Sequence, residues 1–390
     1  MLFEAPKLDD LELEVVARTE DLQRNLKYAV QTPKRWPGLL RRALFARAIR
    51  ASNSIEGFNV TVEDAIAAVE GDEPLDAADA DWRAVRGYRS AMTYVLQLAE
   101  DPHFRHSTDF LRSLHFMMME YDLSKHPGRW RPGPIQVVDE AKREVVYRAP
   151  DAEAVPELME ELVASLNQSG DSTPSMVRAA MGHLNFAMIH PFSDGNGRMA
   201  RCLQSLVLAR AGTLVPEFSS IEEYLGRNTR EYYDVLFRVG AGSWNPRRDA
   251  RPWIRFCLTA HFRQATTILR RTRELQQTWD ALEIEVKRRK LPERTILALS
   301  DAASGLRVRN AAYRNVADIS VQVATKDLKR LVDSGLLIAR GDRKGRTYQA
   351  GELVKEIRSR FSEPDRVRDP FTRKASRPRR ANLSSPIPPR

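Results

Sequence analysis

Apolar residues recur at spacings of three and four through most of the chain, which predicts a mainly helical protein. Segments 11–30, 39–51, 61–70, 81–100 and 108–121 carry this period, and Thr61 stands where an N-cap belongs. The pattern resumes at 155–166, 175–189, 198–211 and 253–282. Trp36-Pro37 punctuates the first two helices, and Gly57 is a natural stop for the second. One stretch breaks the rhythm. Residues 127–150 contain Pro127-Gly128 and Pro132-Gly133-Pro134, then two short β-branched runs around a polar turn, which predicts a hairpin over 134–148.

After a basic shift at Lys287-Arg288-Arg289-Lys290, residues 293–350 read as three helices followed by two short strands around Gly341 to Gly345. That order predicts a winged helix-turn-helix. The expected division is therefore a helical region over 1–105, a core over 106–285, the winged module over 286–360 and a disordered basic tail over 361–390.

Composition narrows the function classes. The net charge of +10 suggests nucleic acid until it is located, because residues 366–390 alone supply +7 and leave +3 for the rest. The longest apolar runs are far too short to span a bilayer, so no membrane segment is expected. Met1-Leu2-Phe3-Glu4-Ala5-Pro6 lacks the basic start and apolar run of a signal peptide. The two cysteines, Cys202 and Cys257, fall inside apolar helical patterns and are expected as buried thiols in a reducing cytoplasm.

The densest chemistry lies between the helices ending near 189 and beginning near 198. Gly195-Asn196-Gly197 can turn backbone N–H groups inward as an anion nest, and that nest opens onto a helix N-terminus that also favours phosphate. Arg198 and Arg201 are three apart and share a face above it. Two guanidiniums in a first helical turn oppose the helix dipole unless an anion compensates, and a polyphosphate is the expected anion. Asp194 offers a hard oxygen suited to Mg²⁺ bridging phosphates. His190 can be neutral near pH 7 and accept a proton from an attacking hydroxyl.

The string His190-Pro191-Phe192-Ser193-Asp194-Gly195-Asn196-Gly197-Arg198-Met199-Ala200-Arg201 resembles the signature of Fic-domain proteins at every motif position. The resemblance extends in order over about residues 1–260. It implies a Fic-type helical domain with a β-hairpin flap, here joined to the C-terminal winged helix-turn-helix. It also implies transfer of AMP from ATP to a Ser, Thr or Tyr hydroxyl of a target protein. By resemblance, His190 is the general base and Asp194 the Mg²⁺ ligand. Gly195, Asn196 and Gly197 form the anion hole, Arg198 binds the β-phosphate and Arg201 the γ-phosphate. Gly197 favours nucleotidyl over phosphoryl transfer, since relatives that move phosphate carry a bulkier residue there. Tyr232 and Tyr233 are similar to a tyrosine pair beside the adenine, and the 134–148 hairpin to the flap that docks the target.

Ser52-Asn53-Ser54-Ile55-Glu56-Gly57 resembles the family's inhibitory motif. Ser52 and Glu56 are one turn apart, and a carboxylate delivered to Arg201 would form the charge-assisted pair that the γ-phosphate needs. Removal of AMP, aided by the same glutamate, stays open. The competing class is a DNA-binding regulator whose Fic-like domain senses nucleotide, with residues 320–346 on DNA through Lys326, Lys329, Arg330, Arg343, Lys344 and Arg346. A sensor needs no general base, so the intact His190 favours the enzyme. His183 is expected as a packed core histidine, and a homodimer is left open.

Overall fold

The computed structural model describes residues 1–30, 36–139, 144–168, 172–212, 216–342, 345–364 and 367–372. The chain is mainly helical. It runs through α1 (Asp10–Ala29), α2 (Trp36–Ile55), α3 (Val62–Glu70), α4 (Asp79–Ala99) and α5 (Thr108–Met119) into strands β1 (Gln136–Asp139) and β2 (Glu144–Arg148). Helices α6 (Val155–Asn167), α7 (Ser175–Ile189), α8 (Asn196–Arg210), α9 (Pro216–Ser219), α10 (Glu222–Arg227) and α11 (Thr229–Gly240) follow, with strand β3 (Gly242–Ser243) after them. The long α12 (Arg251–Arg288) leads to α13 (Thr295–Ala303), α14 (Asn310–Ala317) and α15 (Val321–Asp333), strands β4 (Leu337–Arg340) and β5 (Thr347–Ala350), and α16 (Glu352–Phe361).

Local chemistry accounts for the boundaries. Thr61 and Asp64 form a reciprocal capping box on α3, as Asp9 and Glu12 do on α1. Trp36-Pro37 lies within the first turn of α2 rather than between helices, because a proline in the first turn removes only an N–H that has no intrahelical partner. Gly57 takes the left-handed conformation at φ 86° just past the end of α2. Helix α7 is buried on nearly every side, and α8 packs along it. These two helices form the centre of one hydrophobic cluster and carry the His190–Arg201 segment between them.

The buried side chains fall into two clusters that cut across the expected boundaries. The first gathers α3 to α8, α11 and the start of α12. The second joins Leu39, Leu40 and Leu44 of α2 to Trp279 and Leu282 of α12 and to α13 through α16. Helix α2 belongs to both: Phe45, Ile49 and Ile55 lie in the first cluster. The N-terminal segment is therefore not a core of its own, and α2 is a bar laid across two.

The sheet order is β1-β2-β3, antiparallel then parallel, so β2 is the inner strand and β1 a free edge. The hairpin tip at 140–143 lies outside the described residues, as do Arg343 and Lys344. β4 and β5 pair antiparallel. The tail departs from its composition near its start: Pro370 O accepts from Arg18 Nη1, and Phe371 lies 5.5 Å beneath the Arg255 guanidinium. One aromatic anchor orders 367–372 where the average composition reads as disordered, and 373–390 lie outside the described residues. Cys202 and Cys257 are buried free thiols. No described helix is long and apolar enough to cross a membrane.

Candidate active site

Helix α7 ends at His190, whose backbone is left-handed at φ 52° and whose N–H still bonds to Phe186 O. His190 Nδ1 lies 3.1 Å from Ala187 O, which makes Nδ1 the protonated nitrogen and leaves Nε2 as the unprotonated one. Burial lowers the His190 pKa from the usual 6.5, so the ring is neutral at pH 7. A cavity of about 330 Å³ opens beside it, lined by Glu56, Asp194, Gly197, Tyr147, Tyr233 and Phe237 among others.

The loop after His190 is fixed from within. Asn196 Oδ1 accepts from Phe192 N at 2.9 Å and its Nδ2 donates to Phe192 O at 2.8 Å, so the buried carboxamide closes the turn. The Asn196 side chain is thus spent on the loop itself, and its backbone N–H is what it can offer an anion. Helix α8 also begins two residues earlier than its periodicity suggests, at Asn196, with Gly195 as a left-handed N-cap at φ 75°. The N–H groups that this segment leaves without intrahelical partners are therefore those of the first turn of α8, and of the two glycines only Gly195 uses a left-handed backbone. At Gly197 the absent side chain matters for a different reason. A Cβ there would run into Glu56 Oε1 and lie 3.2 Å from Arg201 Nη1.

Asp194 Oδ1 accepts from Gly195 N at 2.6 Å, while Oδ2 is 3.9 Å from Lys125 Nζ and half exposed. No cluster of three or more potential ligands occurs among the described residues. A single accessible carboxylate suits an ion held jointly with phosphates and does not suit a cage made by protein alone.

Both arginines are buried at 1% exposure, yet each keeps an N–H with no hydrogen-bond partner among the described residues: Nε of Arg198 and Nη1 of Arg201. Arg198 donates to Tyr121 Oη at 3.1 Å and lies 5.0 Å above the Phe58 ring. Arg201 donates from Nε to Ser52 Oγ at 2.8 Å, and from Nη2 to Ser52 O at 2.9 Å and Glu56 Oε1 at 2.6 Å. Burial is the largest single influence and works against the Arg201 charge, but the Glu56 carboxylate together with Tyr232 and Tyr88 outweighs it and the pKa rises. Ser52 and Glu56 thus converge on Arg201 as their spacing predicts.

Tyr232 and Tyr233 both line the cavity, but their hydroxyls are committed elsewhere. Tyr232 is buried and its hydroxyl lies 3.0 Å from His183 Nε2, while His183 Nδ1 lies 2.6 Å from Gln204 Oε1. Burial holds His183 at a pKa of about 3, and it is a neutral core histidine. Tyr233 donates weakly to Ile55 O at 3.4 Å.

Two positioning residues escaped sequence reasoning. Arg131, 4% exposed, donates from Nε to His190 O at 2.9 Å and from Nη1 to Gly133 O at 2.7 Å, and also reaches Pro150 O. It ties the catalytic loop to both ends of the hairpin. His115 stacks on Phe192 at 3.6 Å, accepts at Nδ1 from Gly128 N, and meets Asp194 O at 3.0 Å through Nε2. Burial holds its pKa at about 4. Neither carries a spacing signal, because each reaches the loop through a carbonyl far away in sequence, His190 O for Arg131 and Asp194 O for His115.

Residues 105–208, which span this whole site except α2 and the tyrosines, match the Fic/DOC family. The chain carries a Fic domain. A protein adenylyltransferase Fic of Nematostella vectensis is 27% identical over 248 residues, covering 59% of this chain and 52% of that one. The protein adenylyltransferase fic-1 of Caenorhabditis elegans is 34% identical over 105 residues, covering 27% and 18%. The chain thus spans about half the length of the first relative and about a fifth of the second. Among solved structures, a Fic family protein of Desulfovibrio desulfuricans G20 matches with a TM-score of 0.57 and 21% identity, covering 89% of this chain and 98% of that one. Residues 134–508 of C. elegans Fic-1 match at 0.53 and 22%, covering 66% and 72%. These likenesses agree with the helical architecture and small flap of this Fic fold.

Proposed function

We propose that the chain is a protein adenylyltransferase that moves AMP from ATP to a Ser, Thr or Tyr hydroxyl of a target protein and of itself, and that Glu56 holds it off at rest. The observation that carries this reading is the pair of buried guanidinium N–H groups, on Arg198 and Arg201, that meet no acceptor among the described residues beside a neutral His190. Buried cationic donors left unpaired are costly, and a polyphosphate supplies the oxygens they lack. His190 Nε2 takes the proton of the target hydroxyl, whose oxygen bonds to the α-phosphorus as the bond to pyrophosphate breaks. The first-turn N–H groups of α8 and the two arginines stabilise the charge on the leaving phosphates. Asp194 would hold Mg²⁺ together with those phosphates, where the ion supplies charge neutralisation.

The β1 edge, free of a strand partner, supports docking of the target on the 134–148 hairpin by strand addition. The C-terminal helices and the β4–β5 hairpin follow the order of a winged helix-turn-helix and are read here as the module that selects location or target. Exposed Lys326, Lys329 and Arg330 on α15 support a secondary reading as a DNA contact, which a salt-dependent affinity for duplex DNA would test.

The test of the main reading is labelling with ATP carrying radiolabel at the α- or the γ-phosphate. Label from the α-position alone, lost in His190→Ala, is expected. Label from the γ-position, or labelling that survives His190→Ala, overturns it.

A further inference from the structure

A second cavity, of about 480 Å³, lies between α2, α12, α13 and α16, away from the nucleotide site. Leu39, Leu40 and Leu44 of α2, with Leu275 of α12, give it an apolar wall. Its polar lining is out of balance. Asp301 is held by Arg42 Nη2 at 2.6 Å, and Glu274 by Arg270 Nη1 at 3.0 Å and Glu363 N at 2.9 Å. Arg47 has no such partner: its nearest carboxylate among the described residues is Glu223, at 3.9 Å. That carboxylate already takes Arg271 at 2.6 Å and Arg227 at 2.7 Å. Burial and the neighbouring Arg271 guanidinium pull the Arg47 pKa down, the mark of a cation short of anions. Arg358 donates to the Ala303 carbonyl and pairs with no carboxylate among the described residues. Ser300, 1% exposed, lines the same cavity with an Oγ that no protein atom satisfies.

We propose that this cavity binds a small organic oxyanion: Arg47 and Arg358 hold its phosphate or carboxylate, Ser300 Oγ bonds a further oxygen, and the leucines of α2 and α12 cover an apolar body. Guanidiniums recognise planar or tetrahedral oxyanions by paired donors, and the volume is that of an ordinary small-molecule site. The inference is independent of the adenylyltransferase reading. It gains interest from position, since Arg47 lies on α2, whose end carries Glu56 in the turn nine residues later, about 14 Å along at helical rise.

The probes are phenyl phosphate and benzoate, with benzyl alcohol as the uncharged analogue, titrated into the full chain by calorimetry. At least one anion is expected to bind at a single site, at least tenfold more weakly in Arg47→Ala and several-fold more weakly in Ser300→Ala, and benzyl alcohol is expected not to bind. Arg198→Ala, which alters the nucleotide site, is expected to leave this binding intact. Ser300→Ala deletes one buried, unpartnered oxygen, so it should melt no lower than wild type and keeps the test readable if Arg47→Ala fails to fold. No binding by either anion, equal binding of the alcohol, or binding lost in Arg198→Ala and kept in Ser300→Ala and Arg47→Ala would overturn the proposal.

Discussion

Glu56 Oε1 lies 2.6 Å from Arg201 Nη2, and the same oxygen fills the space that a Cβ on Gly197 would take, so one carboxylate covers both the guanidinium and the start of the helix expected to bind phosphate. Charge-assisted bonds of this kind contribute about 1.5–3 kcal/mol, or roughly ten- to a hundredfold in occupancy. Glu56→Gly is therefore expected to raise auto-modification by labelled ATP by about that factor. Unchanged labelling in a folded Glu56→Gly protein would remove the brake from the account.

Gly197→Ala separates two roles that glycine serves at once. The added methyl meets the tip of a flexible glutamate, so Glu56 yields, and alanine in a helical turn is preferred over glycine by about 1 kcal/mol. The protein should remain as stable as wild type. The methyl also stands 3.2 Å from Arg201 Nη1, where a phosphate oxygen would need to come. In the Glu56→Gly background, adding Gly197→Ala should lower labelling by about tenfold with a raised KM for ATP. An unchanged KM would mean that Gly197 serves only the approach of Glu56.

The loop from His190 to Arg201 and the Ser52–Glu56 pair were legible because their chemistry is written in local spacing. Helical periodicity likewise gave α7 its observed span, 175–189. What escaped depends on chain segments far apart. Arg131 stands in a Pro/Gly-rich stretch with no periodicity to place it, yet it is buried among carbonyls contributed by 190, 133 and 150. The apolar stripe of α2 announces burial but not that its two halves enter different clusters.

Arg131→Lys tests the clamp. An ammonium keeps the charge but cannot span three carbonyls in the plane of a guanidinium. Its loss leaves the left-handed His190 backbone less constrained, so kcat of the Glu56→Gly enzyme should fall by about tenfold or more while KM for ATP changes little. A rise in KM with kcat kept would place Arg131 in nucleotide binding.

His190 must be neutral to act as a base, and burial lowers its pKa from 6.5. Glu56 opposes that shift, so its removal leaves the imidazole still harder to protonate. The labelling rate of Glu56→Gly should therefore fall on an acid limb whose midpoint lies below pH 6.5. A limb centred above pH 6.5 would point to a different base.

Glu222 supplies a stability test independent of activity. Its carboxylate accepts from Tyr88 Oη at 2.8 Å and Ser205 Oγ at 3.2 Å, deep behind Ser52 and Arg201. Burial raises its pKa from 4.5 to about 6. The folded state thus binds the proton more tightly than the unfolded chain. This group's penalty is absent below pH 4.5, grows as pH rises toward 6 and is complete above it. The shift corresponds to about 2 kcal/mol. Glu222→Gln keeps an acceptor for Tyr88 and cannot titrate, and any cost of the amide itself is independent of pH. Relative to the variant, wild type should lose about 2 kcal/mol of unfolding free energy between pH 4.5 and about 6.5 in denaturant titrations. Parallel pH profiles for the two proteins would mean that Glu222 titrates alike in the folded and unfolded chains.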